Sequence, residues 1–436
     1  MYIPYEEIFH TFALFLPSKQ KKALRTFGTE LKTKANLNYI KKNRKKVLKN
    51  LKTKLQNNEK LNVAFVIYDE RKWKAQSLWD LMKNSEFFNP CIFVTKNCAN
   101  SDNFNYQKKE ELVKIYDFFK KKNMEVLYAY DFSKDDFIPL SKMPQKPDII
   151  IYCHPWYINK TQGPVMTSKY AISCYIPYFL ATSVSPIEYY TRFHRYVMAH
   201  YVPDISIKEQ YSKNMKNKGE NLRATGHPML DYFYLNKDKN KNSSNTVIYA
   251  PHWSVDDDNN LFWGTFLDFG DLILDYAKHH PKINWVFKPH PCLKNYLLNH
   301  NYKTTLEVEK YWQNWEKLGT IHEAGDYLDL FANSKAIITD CGSFQTEYFM
   351  TQKPFIRLKS DHPTPFNEMV KKMASVSYTV SNKNELIETL DNILIKNLDP
   401  KKEERKKVLK DLGLDNIYAA KNIINDILLT IRGKDE

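Results

Sequence analysis

The stretch KAIITDCGSFQTEYF, residues 335–349, constrains the fold most, because an apolar run passes directly into a polar turn and then into a helical pattern. Residues 336–338 are strand-forming, and the helical pattern starts near Ser343. Backbone N–H groups at a helix start lack partners within the helix, and the helix dipole adds partial positive charge. Gly342 leaves room for close approach. The stretch predicts either a seat for an anion, best suited to phosphate, or a capped helix that simply follows a buried strand.

Two apolar runs upstream also end in ionisable side chains. The run WVFKPHP, residues 285–291, ends in Lys288 and His290, and the run VIYAPHW, residues 247–253, ends in His252. The carboxyl ends of parallel strands meet at one edge of a sheet, which is where open α/β sheets bind ligands. Three such strand ends therefore predict a parallel α/β sheet with a functional site along one edge.

Length and composition predict a globular chain of two domains. A chain of 436 residues is too long for one ordinary core, and 43% of its residues are hydrophobic. No apolar run reaches the roughly 18–20 residues of a membrane span, and no signal-peptide pattern opens the chain, so secretion is not expected. The six cysteines are scattered without CxxC pairing, which predicts free thiols in a reducing cytosol, without disulfides or zinc.

The positive charge is concentrated near the start of the chain. The net charge is +15, and residues 1–60 hold 15 Lys/Arg against 4 Asp/Glu, so +11 of it lies there. Such a leader suits an anionic membrane surface, a polyanionic acceptor or nucleic acid, and a solvated Lys-rich helix is the plain alternative. Apolar residues within 1–25, followed by lysines, predict either a helix lying on an anionic membrane or one docked on the protein body.

Alternating strand and helix patterns begin at residue 62 and predict parallel, doubly wound sheets. No GxGxxG follows the first strand, which argues against a dinucleotide-binding fold of the usual type. The patterns also predict a strand over 174–180, a helix over 188–198 and one long helix over about 401–431. The predicted units are a basic helical leader (1–60), two Rossmann-like domains (61–235 and 246–383), joined by a polar linker, and C-terminal helices (384–436) that brace the first domain.

The segments that carry these strand ends resemble the CDP-glycerol glycerophosphotransferase family, enzymes of the teichoic-acid polymerase type. The resemblance covers roughly residues 145–360 and is most specific over GDYLDLFANSKAIITDCGSFQTEYFMTQKPFIRL. It implies a GT-B fold, with two Rossmann-like domains that face a cleft. It also implies transfer of a polyol phosphate from a CDP-activated donor to a hydroxyl of a capsule or wall polysaccharide, with release of CMP, at the inner face of the cytoplasmic membrane.

The resemblance implies roles for individual residues of the second domain. His290 matches the histidine of the family's HP motif there, and Asp340, Gly342 and Ser343 match the turn that holds the donor phosphates. Asp329 falls in the preceding helix, where family members place acidic and polar donor contacts. The donor-binding residues predicted in this way, together with the strand-end lysine and the helix start, are Lys288, Asp326, Asp329, Asp340, Cys341, Gly342, Ser343 and Phe344.

The first domain departs from the family pattern. The polymerases carry a Trp-His-Gly motif whose histidine serves as base, whereas the corresponding residues 175–178 of this chain contain no histidine. His154 and His252 are the alternative predicted bases, and His290 is predicted to donate a proton or a hydrogen bond to the leaving CMP phosphate. The acceptor side is predicted to include Tyr157 and Tyr178.

Two further function classes stay open on the sequence. The first is a GT-B glycosyltransferase that uses a nucleotide-activated sugar, such as a CMP-linked one, in capsule or surface-glycan synthesis. The second is a basic nucleic-acid-binding protein, which is disfavoured because the basic residues cluster in a leader rather than among aromatics in a groove. No carboxylate cluster or His/Cys spacing suggests a metal, and no cofactor is predicted beyond the nucleotide-activated donor.

Overall fold

Two parallel β-sheets form the body of the protein. The computed structural model describes residues 18–99, 107–180, 182, 189, 191–236, 244–256, 262–323, 327–361, 365–415 and 418–433, with side chains described from residue 26 onward. The chain passes through the first sheet, then through the second, and its last helix returns to the first.

The first sheet has seven strands, all parallel to their neighbours. The strands of this half, which include the small hairpin β4–β5, are β1 Leu61–Ile67, β2 Phe88–Val94, β3 Val126–Tyr128, β4 Tyr130–Asp131, β5 Asp136–Phe137, β6 Ile149–Tyr152, β7 Ile172–Tyr175, β8 Ala199–Val202 and β9 Leu222–Ala224. The order across the sheet is β3-β2-β1-β6-β7-β8-β9. The direction of winding therefore reverses between β1 and β6.

Helices cover both faces of this sheet. They are α1 Ser18–Gln56, α2 Gln76–Lys83, α3 Lys109–Lys121, α4 Pro164–Thr167, α5 Arg192–Tyr196, α6 Ile205–Asn214 and α7 Pro228–Leu235. Successive residues of β1 alternate between two apolar cores, with Phe65 and Ile67 in one and Ala64 and Val66 in the other. A strand buried on both faces reads as a continuous apolar run, which explains why the sequence pattern located it.

The second sheet has six parallel strands in the order β12-β11-β10-β13-β14-β15, and its winding reverses between β10 and β13. These strands are β10 Thr246–Ala250, β11 Asn284–Phe287, β12 Thr320–Ile321, β13 Ala336–Thr339, β14 Phe355–Leu358 and β15 Tyr378–Val380. The helices that follow them are α8 Phe266–His279, α9 Leu293–Asn299, α10 Thr305–Leu318, α11 Leu328–Asn333, α12 Gly342–Phe349, α13 Glu368–Ser375, α14 Lys383–Leu390, a π-helical turn Asp391–Ile395, α15 Lys402–Asp411 and α16 Ala419–Arg432.

The C-terminal helix α16 braces the first domain, as predicted. Its apolar face, which includes Ile423 and Ile427, belongs to the core of the first sheet. The buried carboxylate of Asp231 on α7 accepts hydrogen bonds from the backbone N–H groups of Ala419 and Ala420, at 2.7 Å and 2.8 Å. These bonds satisfy two donors that a helix start otherwise leaves unpaired. These hydrogen bonds attach the last helix of the chain to the first domain.

Three predicted elements were wrong in extent. The single helix predicted over 401–431 is two helices, because Gly413 adopts a positive φ of 66° after α15. The strand predicted over 174–180 ends at Tyr175, shortly before Pro177, which has no N–H for a sheet ladder. The helix predicted over 188–198 is the short α5, since β8 begins at Ala199.

The basic leader contains one long helix, α1, that docks on the first domain. Ile40, Val47 and Leu51 are buried on one face of it, while the lysines of the other face are exposed. Lys54 near its end forms an ion pair with Asp148 at 2.9 Å. The interpretation of residues 1–25 as a membrane helix lies largely outside the described residues. Among the helices that are described, none is long and apolar enough to cross a membrane.

Candidate functional site

The predicted site residues collect at the two points where the sheets reverse their winding. His154 follows β6 in the first sheet, and His252 and Asp340 follow β10 and β13 in the second. In open α/β sheets, ligands bind outside the carboxyl ends of the strands at this switch point. The topology therefore places one candidate half-site on each domain.

The carboxylate of Asp340 fixes the turn after β13 to the loop after β10. One oxygen accepts a hydrogen bond from the backbone N–H of His252 at 2.6 Å. The other accepts from the backbone N–H and the hydroxyl of Thr265, at 2.6 Å and 2.9 Å. Burial raises the pKa of Asp340 to about 6, and these hydrogen bonds act in the opposite direction. Asp340 neither caps the helix nor presents its oxygens to the cleft, because both are used within the protein.

The helix α12 begins at the predicted turn, with Cys341 as its N-cap residue. The Cys341 Sγ lies 3.4 Å from the Ser343 Oγ, and burial raises the pKa of this thiol to about 11, so it stays protonated. A Cβ atom on Gly342 would lie 3.0 Å from the indole of Trp263. The room that Gly342 leaves is thus filled on that side by Trp263, where the sequence predicted close approach of a ligand.

Lys288 is a buried cation that forms no ion pair among the described residues. Its side chain is 5% exposed, and its Nζ lies 4.8 Å from the ring centroid of Tyr327 and 5.5 Å from that of Phe344. Within the part of the chain that the structure describes, this ammonium also makes no hydrogen bond. Burial, and after it the nearby Lys74, lowers the pKa of Lys288 to about 8, whereas the negative charge of Glu347 acts in the opposite direction. Two lysines and one carboxylate leave a net positive charge at this place, which suits an anion.

His252 and His290 stand side by side at the ends of β10 and β11, with ring centroids 5.0 Å apart. The His252 Nδ1 accepts a hydrogen bond from the backbone N–H of Ser254 at 3.3 Å, and the His290 Nδ1 accepts one from Cys292 at 3.1 Å. An Nδ1 that accepts leaves the proton of the neutral imidazole on Nε2. The Nε2–H group of each histidine is therefore available as a hydrogen-bond donor.

The electrostatic surroundings keep His290 neutral. Burial, together with the positive charges of Arg71 and Lys288, lowers the pKa of His290 to about 3. Burial likewise lowers the pKa of His252 well below its usual value. In these surroundings, His290 therefore acts as a hydrogen-bond donor rather than as a charged acid. A dianionic ligand beside it would raise its pKa again.

The half-site on the first domain is built around Tyr68, at the end of β1. The ring centroid of His154 lies 3.8 Å from that of Tyr68, and His154 has no exposed surface. Neither of its ring nitrogens has a partner among the described residues, and burial lowers its pKa well below the usual value. The Tyr68 hydroxyl accepts a hydrogen bond from Lys72 at 2.9 Å, and the Lys72 Nζ lies 5.2 Å from the Tyr178 ring centroid.

Two of the remaining predicted residues, Tyr157 and Asp329, lie in different surroundings. Tyr157 is exposed, has a positive φ of 51°, and lies near enough to Tyr68 to raise the pKa of that phenol. The carboxylate of Asp329 on α11 accepts a hydrogen bond from the Tyr232 hydroxyl on α7. Asp326 lies outside the described residues. The predicted acceptor residues Tyr157 and Tyr178 are thus brought together around Tyr68, whereas Asp329 binds a tyrosine of the first domain.

The sequence analysis missed a basic loop that follows β1. The loop over residues 69–74 contains a short 3₁₀ turn, Glu70–Lys72, capped by Asp69, and it carries Arg71, Lys72 and Lys74. The Lys74 Nζ donates a hydrogen bond of 2.9 Å to the hydroxyl of Tyr327 in the second domain. The available signal was the position of this charged run directly after the first strand, at the switch point.

A metal site is not evident in the part of the chain that is described. No three His, Cys, Asp or Glu side chains among those residues converge in a way that would hold an ion. The residues that converge instead are cationic or neutral: Lys72, Lys74, Lys288, His252 and His290. This set suits an anionic ligand.

Comparisons with known proteins identify the fold. The sequence matches no protein-family model, and no curated protein matches it. Among solved structures, the UDP-GlcNAc 2-epimerase of Neisseria meningitidis bound to UDP-GlcNAc has a TM-score of 0.52 at 15% identity, over 85% of this chain and 100% of that one. The corresponding epimerase of Methanocaldococcus jannaschii gives 0.52 at 15%, over 85% and 99%. A variant of the wall teichoic acid polymerase TagF gives 0.51 at 14%, over 95% and 99%.

These similarities concern the fold alone, because every identity is far below 25%. All three proteins have the GT-B arrangement of two Rossmann-like domains. The predicted fold class, GT-B with two Rossmann-like domains, is therefore confirmed.

Proposed function

We propose that this protein is a GT-B transferase that moves a polyol phosphate, of the glycerol-phosphate type, from a CDP-activated donor to a hydroxyl of a capsule or wall polysaccharide. The observation that carries the proposal is the buried ammonium of Lys288 beside the start of α12, which forms no hydrogen bond or ion pair among the described residues. The sequence resemblance to CDP-glycerol glycerophosphotransferases supports this choice of donor, and the GT-B fold is compatible with it.

The second domain would hold the donor phosphates. An anion beside Lys288 would offset the cost of burying that charge, and charge-assisted hydrogen bonds to phosphate are stronger than neutral ones. The unpaired N–H groups in the first turn of α12 and the Ser343 hydroxyl offer further donors. Asp340 positions this site without contacting the donor, since its carboxylate holds the turn in place.

The reaction is an in-line displacement at phosphorus. The acceptor oxygen forms a bond to the distal phosphorus, and the bond from that phosphorus to the bridging oxygen breaks, so that the electron pair leaves with CMP. Stabilising the phosphate charge and orienting both oxygens supply most of the catalysis. We assign the Nε2–H of His290 to the leaving phosphate, because His290 has its proton on that atom.

The base then belongs to the first domain. The attacking and leaving oxygens stand on opposite sides of the phosphorus, whereas His252 and His290 are neighbours on one domain, 5.0 Å apart. His154 is the histidine at the switch point of the first sheet, and we assign it as the base. The Tyr68 ring covers it, so the acceptor must displace this ring when it binds. His252 then has a positioning role beside His290.

The alternative is a GT-B glycosyltransferase that uses a nucleotide-activated sugar. The same cationic seat would hold the phosphates of such a donor, but the attack would take place at carbon. The identity of the donor therefore separates the two functions. Neither reaction, as proposed, involves a metal or another cofactor.

A thermal-shift panel tests the proposal directly, with CMP, CDP, UDP, GDP, CDP-glycerol and CMP-sugars as ligands. A ligand at about 100 times its dissociation constant adds about 2.7 kcal/mol to the free energy of unfolding. We expect cytidine nucleotides to stabilise selectively, CDP-glycerol more than CDP, and Lys288→Met to abolish the shift. Lys120→Met on the exposed face of α3 is the matched control. Selective stabilisation by UDP, GDP or a CMP-sugar would instead identify a sugar transferase.

We also propose peripheral contact with an anionic membrane at the inner face of the cytoplasmic membrane, through residues 1–25 and the adjoining α1. Lys41, Lys45 and Lys49 on α1 are exposed on the side opposite its buried residues, which supports this contact. Co-sedimentation with vesicles of phosphatidylglycerol, compared with phosphatidylcholine, tests it. Binding that is equal for both lipids, or insensitive to salt, would contradict it.

A further inference from the structure

Two ammonium groups from opposite domains face the same aromatic ring. The Nζ of Lys74, in the loop after β1, lies 4.3 Å from the ring centroid of Tyr327, and the Nζ of Lys288, after β11, lies 4.8 Å from it. The two like charges are therefore separated by no more than the sum of these distances. The carboxylate of Glu347 offsets one of these two charges, so that the two lysines and the carboxylate together keep one net positive charge.

A hydrogen-bonded chain holds Lys74 in this position. Lys74 donates to the Tyr327 hydroxyl at 2.9 Å, and this hydroxyl donates to the carboxylate of Glu347 at 2.6 Å. Glu347 is a buried residue of α12, the helix that begins at the anion seat. These hydrogen bonds connect Lys74 of the first domain to helix α12 of the second domain. Both lysines thus lie against the same tyrosine beside that helix.

The net positive charge of this cluster has no partner in an ion pair among the described residues. Glu347 already accepts the bond from Tyr327, and Lys288 is 5% exposed without a hydrogen-bond or ion-pair partner within the described residues. A single phosphate next to Lys288 would leave Lys74 on its tyrosine. Two linked phosphates can reach both ammonium groups at once, and each contact would be a charge-assisted hydrogen bond.

We propose that Lys74 and Lys288 form a clamp for a diphosphate, in which each domain supplies one lysine. The clamp deepens the proposed function, because it rests on a nucleotide diphosphate as the donor. It assigns Lys74, a residue of the acceptor domain, to donor binding.

Calorimetry with inorganic pyrophosphate and inorganic phosphate, at pH 7 and without divalent metal, tests the clamp. We expect wild-type protein to prefer pyrophosphate, and Lys74→Met and Lys288→Met each to weaken pyrophosphate binding by about tenfold or more. Lys74→Met should change phosphate binding far less than pyrophosphate binding. The loss in the double variant should differ from the product of the two single losses, because the two contacts share one ligand.

Two further variants serve as controls. Lys146→Met removes a lysine that also lies over an aromatic ring, that of Tyr170 at 5.4 Å, but that is far from Lys74 and Lys288 in the sequence. It should leave pyrophosphate binding unchanged. Lys74→Arg keeps the charge and should retain most of the affinity, which covers the case in which Lys74→Met folds poorly.

Pyrophosphate binding within about twofold of wild type in Lys74→Met would overturn the clamp. Equal losses for phosphate and pyrophosphate in that variant would overturn it as well.

The clamp and the proposed function fail separately. Pyrophosphate binding that needs both lysines, in a protein that does not distinguish CDP from UDP and GDP, would keep the clamp and remove the cytidine donor. Selective binding of cytidine nucleotides, with CMP and CDP equally tight, would keep the cytidine donor and remove the clamp.

Discussion

The carboxylate of Asp340 accepts a 2.6 Å hydrogen bond from the backbone N–H of His252 and thereby joins the ends of β13 and β10. Its second oxygen is held by Thr265. The two strands flank the switch point of the second sheet, so one side chain sets the relative position of the helix start and the His252 loop. Asp340 is a residue that positions the site without facing the ligand.

Replacing this carboxylate by an amide should be costly. In Asp340→Asn, the amide nitrogen must face a backbone N–H donor, either that of His252 or that of Thr265, and one buried donor loses its acceptor. We expect a loss of about 2–4 kcal/mol in the free energy of unfolding, measured by urea titration. Asp275→Asn, at a side chain that is 64% exposed, is the control and should change stability little. Equal stability of the two variants would show that the Asp340 bonds do not hold the turn.

His290→Ala should abolish transfer while the fold persists. Removing a group that donates to the leaving phosphate should lower kcat by about 10²–10⁴-fold, because this contact forms fully only as charge develops. The melting temperature should change little, since His290 lies in a strand-end turn and its ring contributes little to the core. His279→Ala, on the exposed end of α8, is the matched control. Turnover at the wild-type level in His290→Ala would remove His290 from the reaction.

The sequence predicted the second sheet well because its strands are buried on both faces. The run at 336–338 and the helical pattern after it match β13 and α12 to within a residue or so. The strands β8 and β9 went unpredicted, because their sequences, AHYV and LRA, mix apolar with basic residues and form no apolar run. The prediction of one long C-terminal helix was wrong at Gly413, because the positive φ of this residue cannot be recognised within an otherwise helical sequence pattern.

The predicted site residues do gather at the switch points, but their individual partners were beyond sequence reasoning. Asp340 was expected to act on a ligand or a helix start, and its partners His252 and Thr265 lie 88 and 75 residues away along the chain. Lys74 was overlooked because its significance depends on Tyr327, 253 residues later. Strand order decides which distant residues become neighbours, and a single sequence does not contain that order.

Gly342→Ala should disturb the turn through Trp263. The added Cβ would lie 3.0–3.3 Å from three atoms of the indole, so the ring must shift by a few tenths of an ångström. We expect a loss of about 1–2 kcal/mol in the free energy of unfolding and a changed tryptophan fluorescence. Gly163→Ala is the control, because its nearest neighbour would lie at an ordinary contact distance of 3.4 Å. An unchanged stability in Gly342→Ala would show that Trp263 can move aside freely.

Stability should fall as the pH drops below about 6.5, because four histidines of the first domain are buried in the neutral form. Burial lowers the pKa of His194 to about 3, that of His227 to about 4, and those of His154 and His200 well below the usual value. The unfolded chain therefore binds more protons than the folded one between these values and 6.5. Each histidine should cost about 1.4 kcal/mol per pH unit in that window. Asp340 acts in the opposite direction below pH 6, since its folded pKa is raised.

The variant His200→Phe isolates one of these groups. Neither ring nitrogen of His200 has a partner among the described residues, and its ring centroid lies 4.8 Å from that of Tyr175, so a phenyl ring should fit without losing a hydrogen bond. Urea titrations at pH 7.5, 6.5 and 6.0 should show a smaller loss of stability with falling pH in His200→Phe than in wild type. Between pH 6.5 and 6.0 the difference between the two slopes should be roughly half to three-quarters of a proton, because the unfolded histidine is only partly protonated there. Identical slopes would mean that His200 is solvated or paired in solution, and that the acid sensitivity comes from other groups.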